Sequence, residues 1–251
     1  MIDQRNDFTH RLLIDAGIKE GQRVLDVGCG TGDVTFLVAE IVGNAGEVIG
    51  FDLNEAALAA ARDSAIKSRF SNISFIKAEI GKLPQNLGQF DAIVGRRVLM
   101  YQPDAVDSLK SLLPYVKTRG IVVFQESDSM GSFMDTGIMP LHTKAQTWIL
   151  DTVAKEGGNI HIGMNLYSVF KQAGLTVEQV KAEAILQTQE TGSDLAWVVK
   201  MMLPRIIQLG VAEAKDIEID TLEERLDYER HIANTVFVRD MAFGIWGALQ
   251  G

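Results

Sequence analysis

The chain has 251 residues, 47% of them hydrophobic, which is enough to bury a core as one large α/β domain or as a domain with a modest cap. A formal net charge of −9 argues against a polyanionic partner, since phosphate contacts rest on clustered Lys and Arg, and so sets nucleic acid aside. One cysteine excludes an intrachain disulfide, no apolar run nears the roughly 18 residues of a membrane span, and Met1 leads into a polar segment, so a soluble cytoplasmic chain is expected.

Helical and strand periods alternate along the chain in the way that builds a parallel sheet. Residues 8–16 read as an amphipathic helix ending at Gly17, 24–27 as a first strand, 35–42 as a helix and 48–52 as a second strand. Asn54 caps an Ala-rich helix that runs through Ile66. Residues 73–78 and 90–94 give the third and fourth strands. Pro103 starts a helix that carries Val106, Leu109, Leu112 and Leu113 on one face until Pro114. A fifth strand is predicted over 121–124, a helix over 167–173, a sixth strand over 176–184 and a seventh over 235–243.

The run Val24-Leu-Asp-Val-Gly-Cys-Gly-Thr-Gly32 ends the first strand in three alternating glycines, and Asp52 ends the second strand 20 residues after the last of them (52 − 32). Physically this is a strand, a turn where a ligand approaches bare backbone, a helix, and a second strand whose carboxylate can grip a ribose. A dinucleotide fingerprint needs a further glycine where this chain has Asp33. That acid, with Asp26, would repel a pyrophosphate and attract a cation. S-adenosylmethionine carries a sulfonium, an ammonium and an adenosine without phosphate, so Asp26 can face its amino-acid end while Asp52 takes both ribose hydroxyls.

The same run is followed by Asp52-Leu53, Ala78-Glu79-Ile80, Leu83-Pro84, Phe90-Asp-Ala-Ile-Val-Gly-Arg96 and Gly120-Ile-Val-Val-Phe-Gln-Glu126. In this order and spacing the chain resembles a class I S-adenosylmethionine-dependent methyltransferase, near the ubiquinone/menaquinone-type small-molecule group. The resemblance implies a Rossmann-like α/β fold whose seven-stranded, mostly parallel sheet has helices on both faces. The C-terminal part departs from the family's simplest plan, in which strands six and seven form a tight hairpin. Residues 191–231 carry two helical patterns and read as a helical cap inserted between strands six and seven of a single domain spanning 1–251. A surface helix pair that merely packs has the same periodicity.

The resemblance also distributes site roles. Gly28, Gly30 and Gly32 form the cofactor turn, with Cys29 a small neighbour and not a nucleophile. Leu53 lies against adenine, Glu79 stands where the family usually has Asp and reaches the adenine amine, and the Ile80 amide serves a ring nitrogen; solvation of Glu79 is the rival reading. Arg96 holds the methionine portion, against the alternative that Arg96 or Arg97 pairs with Asp26 or Asp33. Val98 and Tyr101 line the floor. Arg5, with Gln4 and His10, closes over the cofactor's carboxylate unless this segment is frayed coil.

Methyl transfer asks a protein to align a nucleophile, exclude water and remove a proton where the nucleophile carries one. Candidate bases follow strands four to six: Glu126 with Asp128, and His142 and His161, each with a packed, solvated or ion-paired role as its alternative. Methionines between Met130 and Met139, with Trp148, Trp197, Met201 and Met202, form an apolar acceptor pocket or simply core. No metal-ligand spacing is present. The expected reaction is methyl transfer to O, N or C of a small, largely apolar metabolite, with a homodimer left open. Cofactor binding without transfer, as a sensor or a catalyst of another rearrangement, and a nicotinamide oxidoreductase remain as other readings.

Overall fold

A computed structural model describes residues 4–130, 137–191 and 193–249 of the chain. Its seven strands form one sheet in the order β3-β2-β1-β4-β5-β7-β6. β1 (Arg23–Val27) is buried at four of its five positions, as its unbroken apolar run requires of a central parallel strand. β2 (Glu47–Asp52) and β4 (Phe90–Arg96) flank it, both parallel, with Asp26 opposite Gly50 on one side and Val94 on the other. β3 (Ile73–Lys77) pairs parallel outside β2, and β5 (Val116–Asp128) outside β4. β7 (Phe237–Leu249) inserts between β5 and β6 (Leu175–Gln187). The strand order reverses between β1 and β4, and open α/β sheets bind ligands beyond the carboxyl ends of such a pair.

The described residues divide into two compact units. The first runs up to Glu126 and adds Ile162–Ala182 and the stretch from Phe243 onward; the second is Ser127–His161 with Glu183–Ala242. In the first unit, α1 (Gln4–Asp15) packs with α2 (Asp33–Val42), α3 (Glu55–Lys67) with β3, and α4 (Ala105–Leu112) with α6 (Ile162–Ala173). The core between sheet and helices includes Leu12, Leu13, Val24, Val38, Val48 and Val94. Each such side chain contributes about 1.5–3 kcal/mol by leaving water. In the second unit α5 (Pro140–Lys155), α7 (Leu195–Gln208) and α9 (Ile219–Ala233) pack on one another, with the short α8 (Ala214–Ile217) between the last two. Helices α7 to α9 are the insertion between β6 and β7.

Several boundaries move for identifiable reasons. α4 is started by Asp104, whose carboxylate accepts the Asp107 amide at 2.9 Å, and Pro103 lies outside it. β5 extends well beyond 121–124 because its pairing with β4 shifts register between Phe90 and Ala92, absorbing the exposed, polar stretch before Ile121. β7 continues past 243 through Gly247, where a Cβ would sit 2.5 Å from the Thr176 carbonyl oxygen. Asn54 caps α3 as expected, accepting the Ala56 and Ala57 amides at 3.0 and 3.2 Å.

Candidate cofactor site

The turn after β1 brings main chain to the sheet's carboxyl edge. Gly28 has a φ of 62°, and a Cβ there would lie 2.7 Å from the Val98 side chain, so both conformation and space demand glycine. Gly30 has a φ of 53° and would meet nothing within 4 Å: its missing side chain leaves open space. Its amide donates to Asp52 Oδ2 at 2.9 Å, and the Asn54 amide donates to Asp52 Oδ1 at 2.8 Å. The acid at the end of β2 is therefore oriented by two amides while keeping lone pairs for further donors.

Next to this turn lies a cleft of about 260 Å³ lined by Gly28, Phe51, Asp52, Leu53, Ala78, Glu79, Ile80, Arg97, Val98, Tyr101 and Gln102. Seven of the residues assigned to the cofactor from sequence meet here: Gly28, Asp52, Leu53, Glu79, Ile80, Val98 and Tyr101. Leu53 is 60% exposed, an apolar surface suited to a flat ring. Glu79 lines the cleft and also pairs with Lys82 at 2.7 Å. Sequence reasoning did not assign Phe51, Ala78, Arg97 or Gln102. Ala78 was in view as part of a family segment. Arg97 was weighed only as an ion-pair partner, and its place in the wall depends on a left-handed φ of 54° that an arginine does not advertise.

The other assigned residues lie outside the cleft lining; Arg5, Asp26, Cys29 and Gly32 are buried, while Gly30 is half-buried. Asp26 is buried beneath the turn, its Oδ2 accepting the Thr35 hydroxyl at 2.5 Å. Burial pushes its carboxyl up to about 7, with the Thr35 hydroxyl and the Arg96 charge opposing. Cys29 faces Gly50, and burial, reinforced by the Asp26 and Asp52 carboxylates, pushes its thiol upward, so it stays protonated. The Arg96 side chain is largely covered and tied to the first helix, donating to Asn6 Oδ1 at 2.8 Å and Thr9 Oγ1 at 3.0 Å, with Asp33 at 3.5 Å. The rival ion-pair reading of this arginine is the one its geometry displays. Burial and the neighbouring Arg97 charge bring it down to about 10. Arg5 is buried in α1, not frayed, and Gly32 begins α2.

Asp26 Oδ1 is buried with no hydrogen-bond partner. A buried acceptor in this state is costly, and a nearby positive charge relieves it. That orphan, the bare backbone of the turn, the amide-held Asp52 and the exposed Leu53 together fit a cationic nucleoside. A pyrophosphate would meet carboxylates at Asp26 and Asp33.

The candidate bases have very different surroundings. Glu126 is fully buried, Oε1 accepting the amides of Val98 and Leu99 at 2.9 and 2.7 Å, surroundings unlike those of the accessible base that its residue type suggested. His142 is also buried; its Nδ1 lies 2.7 Å from Glu229 Oε2, and Glu229 accepts the Leu141 and His142 amides at the start of α5. Burial lowers its proton affinity, so it is a neutral structural imidazole near pH 7 and not the accessible base that sequence suggested. His161 is 44% exposed, with Nδ1 3.1 Å from Ser129 Oγ and 3.6 Å from the buried carboxylate of Asp128. Of the expected acceptor pocket, Trp148, Met139 and Met202 are buried, whereas Met130, Trp197 and Met201 are exposed. The 131–136 part of the methionine-bearing segment lies outside the described residues. Among the described residues no cluster of His, Cys, Asp or Glu could hold a metal, and no helix is long and apolar enough to cross a membrane.

The glycine turn, the acid closing β2 and the reversal of strand order define a class I Rossmann-like nucleoside-binding fold. A family model described as "Methyltransferase domain" matches residues 18–190, and the chain belongs to that family, the S-adenosylmethionine-dependent methyltransferases of class I. It is 36% identical over 121 residues to the ubiquinone/menaquinone biosynthesis C-methyltransferase UbiE of Ectopseudomonas mendocina, covering 47% of this chain and 46% of that one. It is 30% identical over 125 residues to the demethylmenaquinone methyltransferase of Staphylococcus aureus, covering 50% and 51%. The chain thus spans about half the length of the curated relatives it matches. The crystal structure of a SAM dependent methyltransferase from Aquifex aeolicus shares the fold, with a TM-score of 0.58 and 16% identity over 96% of this chain and 89% of that one.

Proposed function

We propose that this chain transfers the methyl group of S-adenosylmethionine to a small, largely apolar acceptor, with a carbon of a ubiquinone or menaquinone precursor as the acceptor class suggested by the names of the relatives. The observation that carries the cofactor half is Asp52, held by two amides at the lip of a cleft whose opposite wall is Val98 to Gln102. When bound, S-adenosylmethionine supplies an electrophilic methyl carbon on a positively charged sulfur.

The chain's own residues do the rest. Asp52 accepts two ribose hydroxyls, Leu53 and Phe51 shield a base from water, and the Ile80 main chain reads its edge, with Glu79 beside it. Buried Asp26 stabilises the cationic end through Oδ1. Where the acceptor's nucleophilic atom carries a proton, that proton must leave to a base. The same reading gives the chain a small-molecule partner, a cytoplasmic setting and a cofactor that a nicotinamide nucleotide does not replace.

Thermal shift with S-adenosylhomocysteine tests the cofactor half: stabilisation of the wild type, none with NAD, and loss of the shift in Asp52→Ala are expected. An unchanged shift in that variant would remove the ribose assignment. Production of S-adenosylhomocysteine only when a demethylated ubiquinone or menaquinone precursor is supplied tests the acceptor half. Binding without turnover across such acceptors would favour a sensor or another rearrangement.

A further inference from the structure

Glu126 is a carboxylate of the fifth strand that the chemistry above leaves without a task. It ends the first unit's part of β5, is fully buried, and turns Oε1 toward the chain that leaves β4. There it accepts the Val98 amide at 2.9 Å and the Leu99 amide at 2.7 Å, two consecutive donors that no helix or strand engages. The preceding residue makes a third tie: the Arg97 amide donates to the Gln125 carbonyl at 2.8 Å, although Arg97 is in the left-handed region with a φ of 54°. Such a conformation costs a non-glycine residue energy and persists only where neighbours enforce it.

The segment held in this way is not incidental. Arg97, Val98, Tyr101 and Gln102 form one wall of the cofactor cleft, and Val98 packs against the Gly28 backbone so closely that a Cβ at Gly28 would come within 2.7 Å. The position of Val98 therefore sets the width of the cleft on the side facing the glycine turn. A buried carboxylate accepting main-chain amides is a strong and directional anchor.

The geometry points to Glu126 as a positioning residue for the cofactor: it fixes the Arg97–Gln102 wall through the Val98 and Leu99 amides and thereby sets cofactor affinity, without exchanging a proton with the acceptor. This rests on the reading of the cleft as the S-adenosylmethionine site. A carboxamide at this position keeps one oxygen for both amides, whereas shortening or deleting the side chain removes it.

Calorimetric titration of Glu126→Gln, Glu126→Asp and Glu126→Ala with S-adenosylhomocysteine, alongside the melting temperature of each free protein, tests the assignment. The Gln variant is expected to bind within about threefold of wild type and to keep turnover at saturating cofactor, while Asp and Ala lose roughly tenfold or more in affinity. If Ala does not fold, the contrast between Gln and Asp carries the test. Two results would overturn the inference: affinities unchanged in Asp or Ala, or a Gln variant that binds normally but no longer turns over, the behaviour of a proton-transfer residue. Failure of the wild type itself to bind S-adenosylhomocysteine would instead remove the reading of the cleft.

Discussion

In the first unit two acids at the cleft, Asp52 and Glu126, are held by main-chain amides; in the second, several contacts join side chains of distant elements, although Glu229 also accepts the Leu141 and His142 amides. Asp52 is oriented by the Gly30 and Asn54 amides and Glu126 by those of Val98 and Leu99. In the second unit Arg239 Nε meets Asp194 Oδ1 at 3.0 Å, Arg205 Nε meets Glu156 Oε1 at 2.6 Å, and Ser127 donates to Asp240 at 2.8 Å across 113 residues of sequence. The Asp52 anchor is specified by turn geometry, which glycine spacing encodes. Side-chain pairs between distant elements leave no such mark.

The sharpest way to break this comparison is Asp52→Ala. Removing a carboxylate that accepts two hydroxyls should weaken S-adenosylhomocysteine binding by roughly a hundredfold, read by calorimetry, while the melting temperature of the free protein changes little. A larger effect on folding than on binding would make Asp52 a turn-holding residue only.

Gly28→Ala comes next. It meets Val98 and places alanine at a left-handed φ, so a loss of about 1–3 kcal/mol in stability is expected from denaturant unfolding, with at least a tenfold loss in affinity. Adding Val98→Ala should return part of the stability, the part due to contact, and leave the conformational part in place.

Asp26→Asn separates binding from stability. With its carboxyl raised from 3.8 to about 7 in the fold, Asp26 contributes stability that is complete below its unfolded pKa and is lost as pH rises through about 7. Replacing it should therefore stabilise the free protein at pH 8, on the order of 2–4 kcal/mol at most, while weakening S-adenosylhomocysteine less than S-adenosylmethionine, whose sulfur is charged. Equal weakening of the two would show that the carboxylate does not serve the sulfonium.

His142→Gln probes the other unit and should have the smallest effect on the cofactor. Because burial lowers this imidazole's proton affinity, its contribution is present above the unfolded value of 6.5 and is lost as pH falls through the folded pKa. The wild type should lose stability on acidification below about pH 6.5 more steeply than the variant, with S-adenosylhomocysteine affinity within about twofold in both. A base role would instead show as lost turnover.

How far these residues could be read in advance follows from the same contrast. Strands β1 to β4 and the cap at Asn54 were legible from local pattern, Gly28 and Asp52 from the spacing of a turn and a strand end, and Leu53 and Ile80 from the family resemblance. Arg97 and Glu126 were singled out by residue type, but their placement was not legible, since one depends on a backbone conformation unusual for its type and the other on amides 27 and 28 residues away. His142 illustrates the opposite error: a residue type suited to proton transfer, placed by tertiary packing where it serves α5 and α9.

Titration of the purified wild-type chain with S-adenosylhomocysteine in a calorimeter tests the central claim most directly. Saturable binding near one ligand per chain, absent with NAD, is the expected result. No measurable heat or displacement with either S-adenosylhomocysteine or S-adenosylmethionine would contradict it.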